Sequence, residues 1–532
     1  MINTKDQIFE DSLPILTSIC LEKLINPEYN SCEENLTFLF LPKQMGDEAY
    51  TYTVDEALLS LGFGKFQTLV LAYAGIGWLS EAMEMMLLSF VGPSVRTEWG
   101  ISDKQESLIS SVVFAGMMIG SFTWGYVSDN YGRRQGRLCS LFVSYQMGFF
   151  FTALVTSLAG FASAIAPNYI CLVALRFIVG VGLGGGHVLA SWFLEFIPSP
   201  NRGTWMIVFT FFWTVGTILQ AAVAWVVMPL FGWRWLVALS SLPSFLLLLF
   251  FNTTPESPRY LCKGDETDEA MLVLTRIALM NDSSLPPGVL GSHSLQEDHA
   301  SSSNVNLSES SPLIGTKTRN GLKVFLNLLS PKLVRSTLLL WLVFFGNAFG
   351  YYGVVLLTSE LSGRTSKCNS NLTRPSHLKD DASLYRDVFL TSLAEVPGLL
   401  LAALAVDKVG RKASMYVMLF TCCAFLAPLV SPQKEVVTTA LLFGARACVN
   451  GSFSILYIYA PEIYPTSVRS TGLGVATAMG RIGGMLCPIV AVSLVENCQQ
   501  TEAILLFDLV IFVAGVAVTL FSLETKGRDL IA

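Results

Sequence analysis

Charge is scarce in this chain. Only 14% of its 532 residues are Asp, Glu, Lys or Arg, against about 25% in a soluble domain, and this excludes an ordinary water-soluble protein. The 34 Lys and Arg against 40 Asp and Glu leave a net charge of −6, carried largely by the N-terminal stretch and a central polar segment. No basic patch points to nucleic acid as a partner. No nucleophile–base set stands in a soluble segment, which argues against an enzyme. No phosphate loop follows a strand: the glycines Gly180, Gly182, Gly184, Gly185 and Gly186 lie inside an apolar run, where tight helix packing accounts for them better than nucleotide binding. ATP drive and a cofactor are therefore not expected. The eleven cysteines are scattered, most of them in apolar runs, and form neither a disulfide framework nor a zinc site; only Cys368 and Cys498 fall where a bridge could form. Residues 1–44 lack the basic start and small-residue cleavage site of a signal peptide. They read as disordered or absent from the mature protein, with Met45 as a more plausible start.

What the chain has in abundance is long apolar runs: 52% of it is hydrophobic. About 20 apolar residues cross a bilayer as a helix. Twelve such spans are read near 68–91, 106–127, 139–165, 169–191, 204–229, 233–251, 336–357, 386–406, 413–430, 436–459, 470–495 and 503–522. The division is an N-terminal extension (1–60), a six-helix half (61–251), a polar linker (252–335) with one amphipathic helix near 265–280, a second six-helix half (336–524) and a short tail (525–532). Most of the Lys and Arg fall on one side if both termini are cytosolic. The loop 358–385 is then external or lumenal and carries the glycosylation sequon at Asn371. The linker pattern Glu309 to Leu313-Ile314 fits an acidic dileucine sorting signal, so the plasma membrane and the vacuolar membrane both remain open.

One charged pattern occurs twice. The first copy is Asp129, Gly132, Arg133, Arg134, Arg176, Glu195, Pro198, Arg202 and Glu256. The second is Asp407, Gly410, Arg411, Lys412, Arg446, Glu462, Pro465, Arg469 and Glu524. Matched pairs from Arg176 onward are 267 to 270 positions apart, but Asp129 and Asp407 are 278 apart. About ten extra residues, roughly 136–147, therefore read as an insertion in span three. Two similar halves with charges at matching places predict a carrier whose halves rock about a central site. The paired motifs resemble those of the major facilitator superfamily, over roughly residues 60–528, and its sugar-porter-type branch; Leu523 departs from the Pro usual there. The resemblance implies an all-α membrane fold of twelve helices in two halves. It also implies that Asp129, Arg133, Arg134, Glu195, Arg202, Glu256, Asp407, Arg411, Arg446, Glu462, Arg469 and Glu524 form gating ion pairs.

Ionisable groups inside a bilayer are functional candidates by default, because desolvating them is costly. Glu81 and Glu84 are three apart in span one and hence on one helical face; Arg176 in span four is the natural counter-charge of Glu84. These three are the expected proton-coupling residues. Arg481, among Gly480, Gly483 and Gly484, suits a carboxylate held bidentately, or else pairs with Glu395 or another acid. Arg481, Tyr351, Tyr352, Asn347 and Trp213 are the candidate solute-binding residues, since Tyr and Trp faces bind flat rings or quaternary ammonium groups.

The segment Glu81-Ala-Met-Glu84 resembles the first-helix motif of aromatic-acid/proton symporters, with Glu in place of Asp. From Met45 onward the stretches Met45–Ala49, Thr53–Leu58, Gly62–Phe66, Glu81–Pro93 and Ala460–Thr466 resemble plant organic cation/carnitine transporters of the type-7 group. Synaptic vesicle 2-related proteins and bacterial niacin transporters are also similar. His187 and the extra residues of span three depart from that pattern. The resemblance implies a proton-coupled carrier of a small organic ion, a cation or carnitine on one side and nicotinate on the other. Its partners are then a small solute, the proton and the lipid bilayer, and the protein is expected to act as a monomer. A non-transporting receptor or scaffold of the same fold and a sugar carrier are the alternatives.

Overall fold

A computed structural model describes residues 51–131, 145–198, 202–251, 254–263, 266–291, 328–331, 333–364, 377–431, 433–464, 469–496 and 499–525. From Tyr52 onward the chain forms one compact unit. Among the described residues, twelve helical segments match the expected spans, and eight of them are long and apolar enough to cross a membrane. In the first half they are α2 (Lys65–Trp99), α3 (Asp103–Tyr131), α4 (Tyr145–Ala164), α5 with α6 (Tyr169–Leu183, Gly186–Leu194), α7 (Arg202–Phe231) and α8 with α9 (Trp233–Ser240, Leu242–Leu249). In the second half they are α12 (Val334–Arg364), α13 with α14 (His377–Leu393, Glu395–Lys408), α15 (Arg411–Leu426), α16 (Glu435–Ile463), α17 (Arg469–Glu496) and α18 (Gln500–Thr519). Apolar side chains such as Leu158, Val226, Leu230, Leu404 and Leu509 stand exposed on the outer helix faces, as a protein solvated by lipid requires.

Three spans that read as continuous in the sequence are broken. Span four turns at Gly184–Gly185, span six at Ser241 and span eight at Ala394. Hydropathy averages over such breaks, so the sequence did not reveal them, yet each lies beside a buried charge. The glycines of α5 also let backbones touch. A β-carbon on Gly180 would overlap the Val113 carbonyl of α3, and one on Gly116 the Phe177 carbonyl of α5, so the packing expectation for the glycine run holds.

Residues assigned from sequence to the extension and the linker form a small layer beside the first half. β1 (Thr51–Tyr52) pairs with β2 (Val289–Leu290). Helix α1 (Val54–Leu61) opens with a capping box in which Thr53 and Glu56 bond each other's backbone, a local signal at about 1 kcal/mol. The expected amphipathic helix is present as α11 (Thr267–Met280) and buries Ala270, Leu274 and Ile277. These residues share an apolar cluster with Leu58 and Leu61 of α1, with Phe66, Trp192, Phe193 and Phe196 of the first half, and with Leu261 of α10 (Pro258–Lys263).

Polar contacts fasten the layer at its edges. Arg259 binds Asp55, Lys65 binds Asp282, and Asn281 accepts from the Phe66 amide and donates to Gln67. Residues 52–60 of the expected extension and 254–291 of the expected linker thus hold helices and short strands whose apolar faces pack on each other and on the first half. Residues 136–144 of the suspected insertion, Asn371, Cys368, Cys498 and the dileucine pattern lie outside the described residues; α4 begins at Tyr145.

Candidate functional site

Among the described residues, three buried ion pairs lie inside the helix bundle. The first closes within the N-terminal half. Arg176 of α5 donates to Glu84 Oε2 of α2 at 2.9 Å, with both side chains 1% exposed. Ser241, at the break between α8 and α9, donates to Glu84 Oε1 at 3.3 Å. The partnership expected from sequence for Glu84 and Arg176 is present.

The second pair lies in the C-terminal half. Arg446 of α16 meets Glu395 Oε1 at 2.8 Å, and both are fully buried. The repeat grouped Arg446 with the gating charges; lying within the expected span 436–459, it pairs with Glu395 at the start of α14. Tyr351 of α12 donates to Glu395 Oε1 at 2.7 Å. From the other half, Thr217 of α7 donates to Glu395 Oε2 at 3.0 Å, and Trp213 of α7 donates through Nε1 to the Tyr351 hydroxyl at 3.0 Å.

The third pair joins the halves. Arg481 of α17 donates to Glu81 Oε1 of α2 at 2.7 Å. The acid that meets Arg481 is thus Glu81, since Glu395 is already taken by Arg446. Although Glu81 and Glu84 share a helix face, the first reaches across the bundle and the second stays in its own half.

A cleft of about 450 Å³, counting its open mouth, stands over the Glu81–Arg481 pair. Half of its lining residues are aromatic: Trp78, Trp213, Tyr352, Phe453 and Tyr457. Trp78 packs against Trp213 at 5.4 Å between ring centroids, and Phe453 against Tyr457 at 5.2 Å. Asn450, Ser454 and Thr210 add polar groups. Of the solute-binding candidates, Arg481, Tyr352 and Trp213 line this cleft. Tyr351 lies behind it in the Glu395 network. Asn347 is buried and donates to the Val343 carbonyl of its own helix. The sequence reading missed Trp78, Phe453, Tyr457 and Asn450. Their signal was only that α2 and α16 also carry the charged residues, and such helices turn their neighbouring positions toward the same space.

The halves also touch at one end of the bundle. Phe90 packs on Tyr385, Trp225 packs on Phe389, and Ser111 donates to the Met485 carbonyl at 2.9 Å. All six residues lie toward the same end of their alternating helices, the end reached by the C-terminus of α2.

At the opposite end, the second copy of the charged motif is assembled in part. The amides of Arg411 and Lys412 donate to the two oxygens of Glu524 at 2.9 and 3.1 Å, a carboxylate seated on the N-terminus of α15. Gly410 has φ of 108°, a conformation that favours glycine. Arg411 also lies 3.5 Å from Glu462. In the first copy, Glu195 ends α6 and Glu256 lies between α9 and α10. Arg133 and Arg134, and the side chains of Asp129, Arg202, Asp407 and Arg469, lie outside the described residues.

Residues 63–532 match the family described as sugar (and other) transporter. The organic cation/carnitine transporter 7 of Arabidopsis thaliana is 55% identical over 500 residues, which cover 91% of this chain and 97% of the relative. The synaptic vesicle 2-related protein of Xenopus laevis is 36% identical over 491 residues, covering 90% of this chain and 82% of the relative. Among solved structures, a partially occluded inward open conformation of the xylose transporter XylE from E. coli has a TM-score of 0.64 at 18% identity. That likeness covers 87% of this chain and 100% of the other, and it is one of fold.

Proposed function

This chain belongs to the sugar (and other) transporter family of the major facilitator superfamily, and from that premise we propose that it is a proton-coupled carrier of a small charged organic solute, working by alternating access. The observation that carries this reading is the Glu81–Arg481 pair at the floor of an aromatic cleft between the halves. A carboxylate on the solute competes with Glu81 for the Arg481 guanidinium. Trp78, Trp213 and Tyr457 offer ring faces to an ammonium group, and Tyr352 offers one to a flat ring. A zwitterion such as carnitine uses both features, in keeping with the name of the Arabidopsis relative; nicotinate uses Arg481 and a ring face.

Rocking the halves must break Arg481–Glu81, Thr217–Glu395 and Trp213–Tyr351, all of which cross between them. Glu84 and Arg176 stay together through that motion. Glu81 is therefore the carboxylate whose charge must be balanced when its partner leaves, and a proton supplies the balance. The gating residues of the two motif copies latch the end opposite Phe90 in the other state. A scaffold has no use for a buried ion pair across a cleft, and a neutral sugar has no use for a guanidinium at the cleft floor. The carrier acts as a monomer in the plasma membrane or the vacuolar membrane.

The test is uptake of labelled carnitine and labelled nicotinate into transporter-deficient yeast at two external pH values. The chain is expressed from Met45, with and without residues 136–147. Acid-stimulated uptake of either solute, lost in Glu81→Gln, is the expected result. Uptake of neither by folded protein at the cell surface overturns the reading.

A further inference from the structure

A second cavity, of about 400 Å³ counting its open mouth, lies inside the N-terminal half between α2, α4, α5, α6 and α9. Glu81 borders both cavities. Its Oε1 bonds Arg481 on the cleft side, while its Oε2 is buried and has no hydrogen-bond partner among the described residues. We propose that this second cavity is a water-filled vestibule that exchanges the coupling proton with Glu81 Oε2, apart from the route the solute takes. The proposal rests on the proton-coupled reading above and adds the proton's path to it.

Two glycines keep the space open. A β-carbon at Gly186 would overlap Glu81 Oε2, and one at Gly182 would overlap Thr156 Oγ1. The glycine run thus does more than pack helices: it clears the floor in front of the carboxylate. The walls carry hydroxyls. Ser80 and Ser244 bond each other, Thr152 and Thr156 face the same space, and Tyr73 donates to the Leu247 carbonyl at 3.2 Å. Beside these hydroxyls the cavity has room for about two waters, and such water gives the carboxylate oxygen its missing donors.

Position supports the same role. Tyr73 and Gly77 lie between Glu81 and the Lys65 end of α2, away from the end where the halves meet. Vestibule and cleft therefore face the same side of the membrane, as cotransport of solute and proton in one direction requires. When a solute carboxylate takes Arg481, Glu81 loses its counter-charge in a buried place and is neutralised by a proton. A hydronium ion in the vestibule gives up one O–H bond as Oε2 gains one, and water is left behind. The other groups facing this carboxylate are the phenols of Tyr352 and Tyr457 on the cleft side, with Glu84, held by Arg176, one turn along α2.

The experiment uses the full chain in proteoliposomes with a pH-sensitive dye trapped inside and carnitine or nicotinate as the solute. Thr156→Val and Ser244→Ala alter the vestibule and not the cleft. Exchange of labelled for unlabelled solute at equal pH needs no net proton transfer. It is expected to stay within about twofold of wild type in both variants, which also shows that they fold, while solute-linked proton movement falls about tenfold. Variants that keep both activities overturn the vestibule and leave the carrier reading standing. Loss of exchange at unchanged thermal stability also overturns it, because the cavity would then serve the solute. Wild-type uptake that moves no proton overturns both readings, as does uptake that follows Na⁺ when Na⁺ and K⁺ are swapped.

Discussion

Glu81 and Arg481 stand 400 positions apart in the sequence and 2.7 Å apart in space, one from each half of the bundle. Glu84, one helical turn from Glu81, is satisfied inside its own half by Arg176. The first pair must part whenever the halves separate and the second need not, so the two glutamates of one motif have different duties.

Arg481→Ala separates the solute classes. Losing a charge-assisted hydrogen bond to a carboxylate costs about 2 kcal/mol, roughly 30-fold in affinity. Nicotinate uptake is expected to fall at least that far, while a simple cation such as tetraethylammonium is retained. Competition uptake measures both, and equal retention of the two would reject a solute contact for Arg481.

Arg176→Met leaves Glu84 charged, buried and unpaired, a change that costs about 3–5 kcal/mol. Adding Glu84→Gln removes the stranded charge and is expected to restore most of the lost thermal stability in detergent. If the double variant melts no higher than Arg176→Met alone, the pair is not what holds α2 to α5.

Trp213→Phe and Thr217→Val each remove one hydrogen bond between the halves, about 1 kcal/mol apiece. The balance of conformations shifts about fivefold for each. A cysteine placed at Ser454 in the cleft wall reports the shift as a slower maleimide reaction, because the state with this cleft open loses population. An unchanged rate in both variants would mean that these bonds do not set the balance.

The layer formed by α1 and α11 is held by apolar burial more than by its surface charges. Leu58 is fully buried, whereas Asp55 is mostly exposed. Leu58→Ala is expected to cost about 2–5 kcal/mol and Asp55→Ala less than about 1 kcal/mol. A chain begun at Met45 keeps this layer and one begun at Gly62 loses it, which thermal melts of the two truncations compare directly.

Much of this was legible in the sequence. Apolar length marked the spans, and the repeated charged motif marked the two halves, because a bilayer tolerates only long apolar helices and charges with a purpose. Glu84 with Arg176 was also foreseeable, as a carboxylate and a guanidinium left in the same half. The helix of 267–280 followed from its periodicity. The layer it builds with residues 52–61 did not, since each apolar face reads as a surface stripe until its partner is known.

The sequence by itself determined which residues enter the membrane and which charges have to find partners there, because burying an unpaired charge is too costly to leave to chance. Only the tertiary structure decided the pairing. It sent Glu81 to Arg481 and Glu395 to Arg446, broke the spans at Gly184–Gly185, Ser241 and Ala394 beside those charges, and set Glu81 between two cavities. Partner choice depends on distances across the bundle, and these are fixed by how the helices pack rather than by the spacing of residues along any one of them.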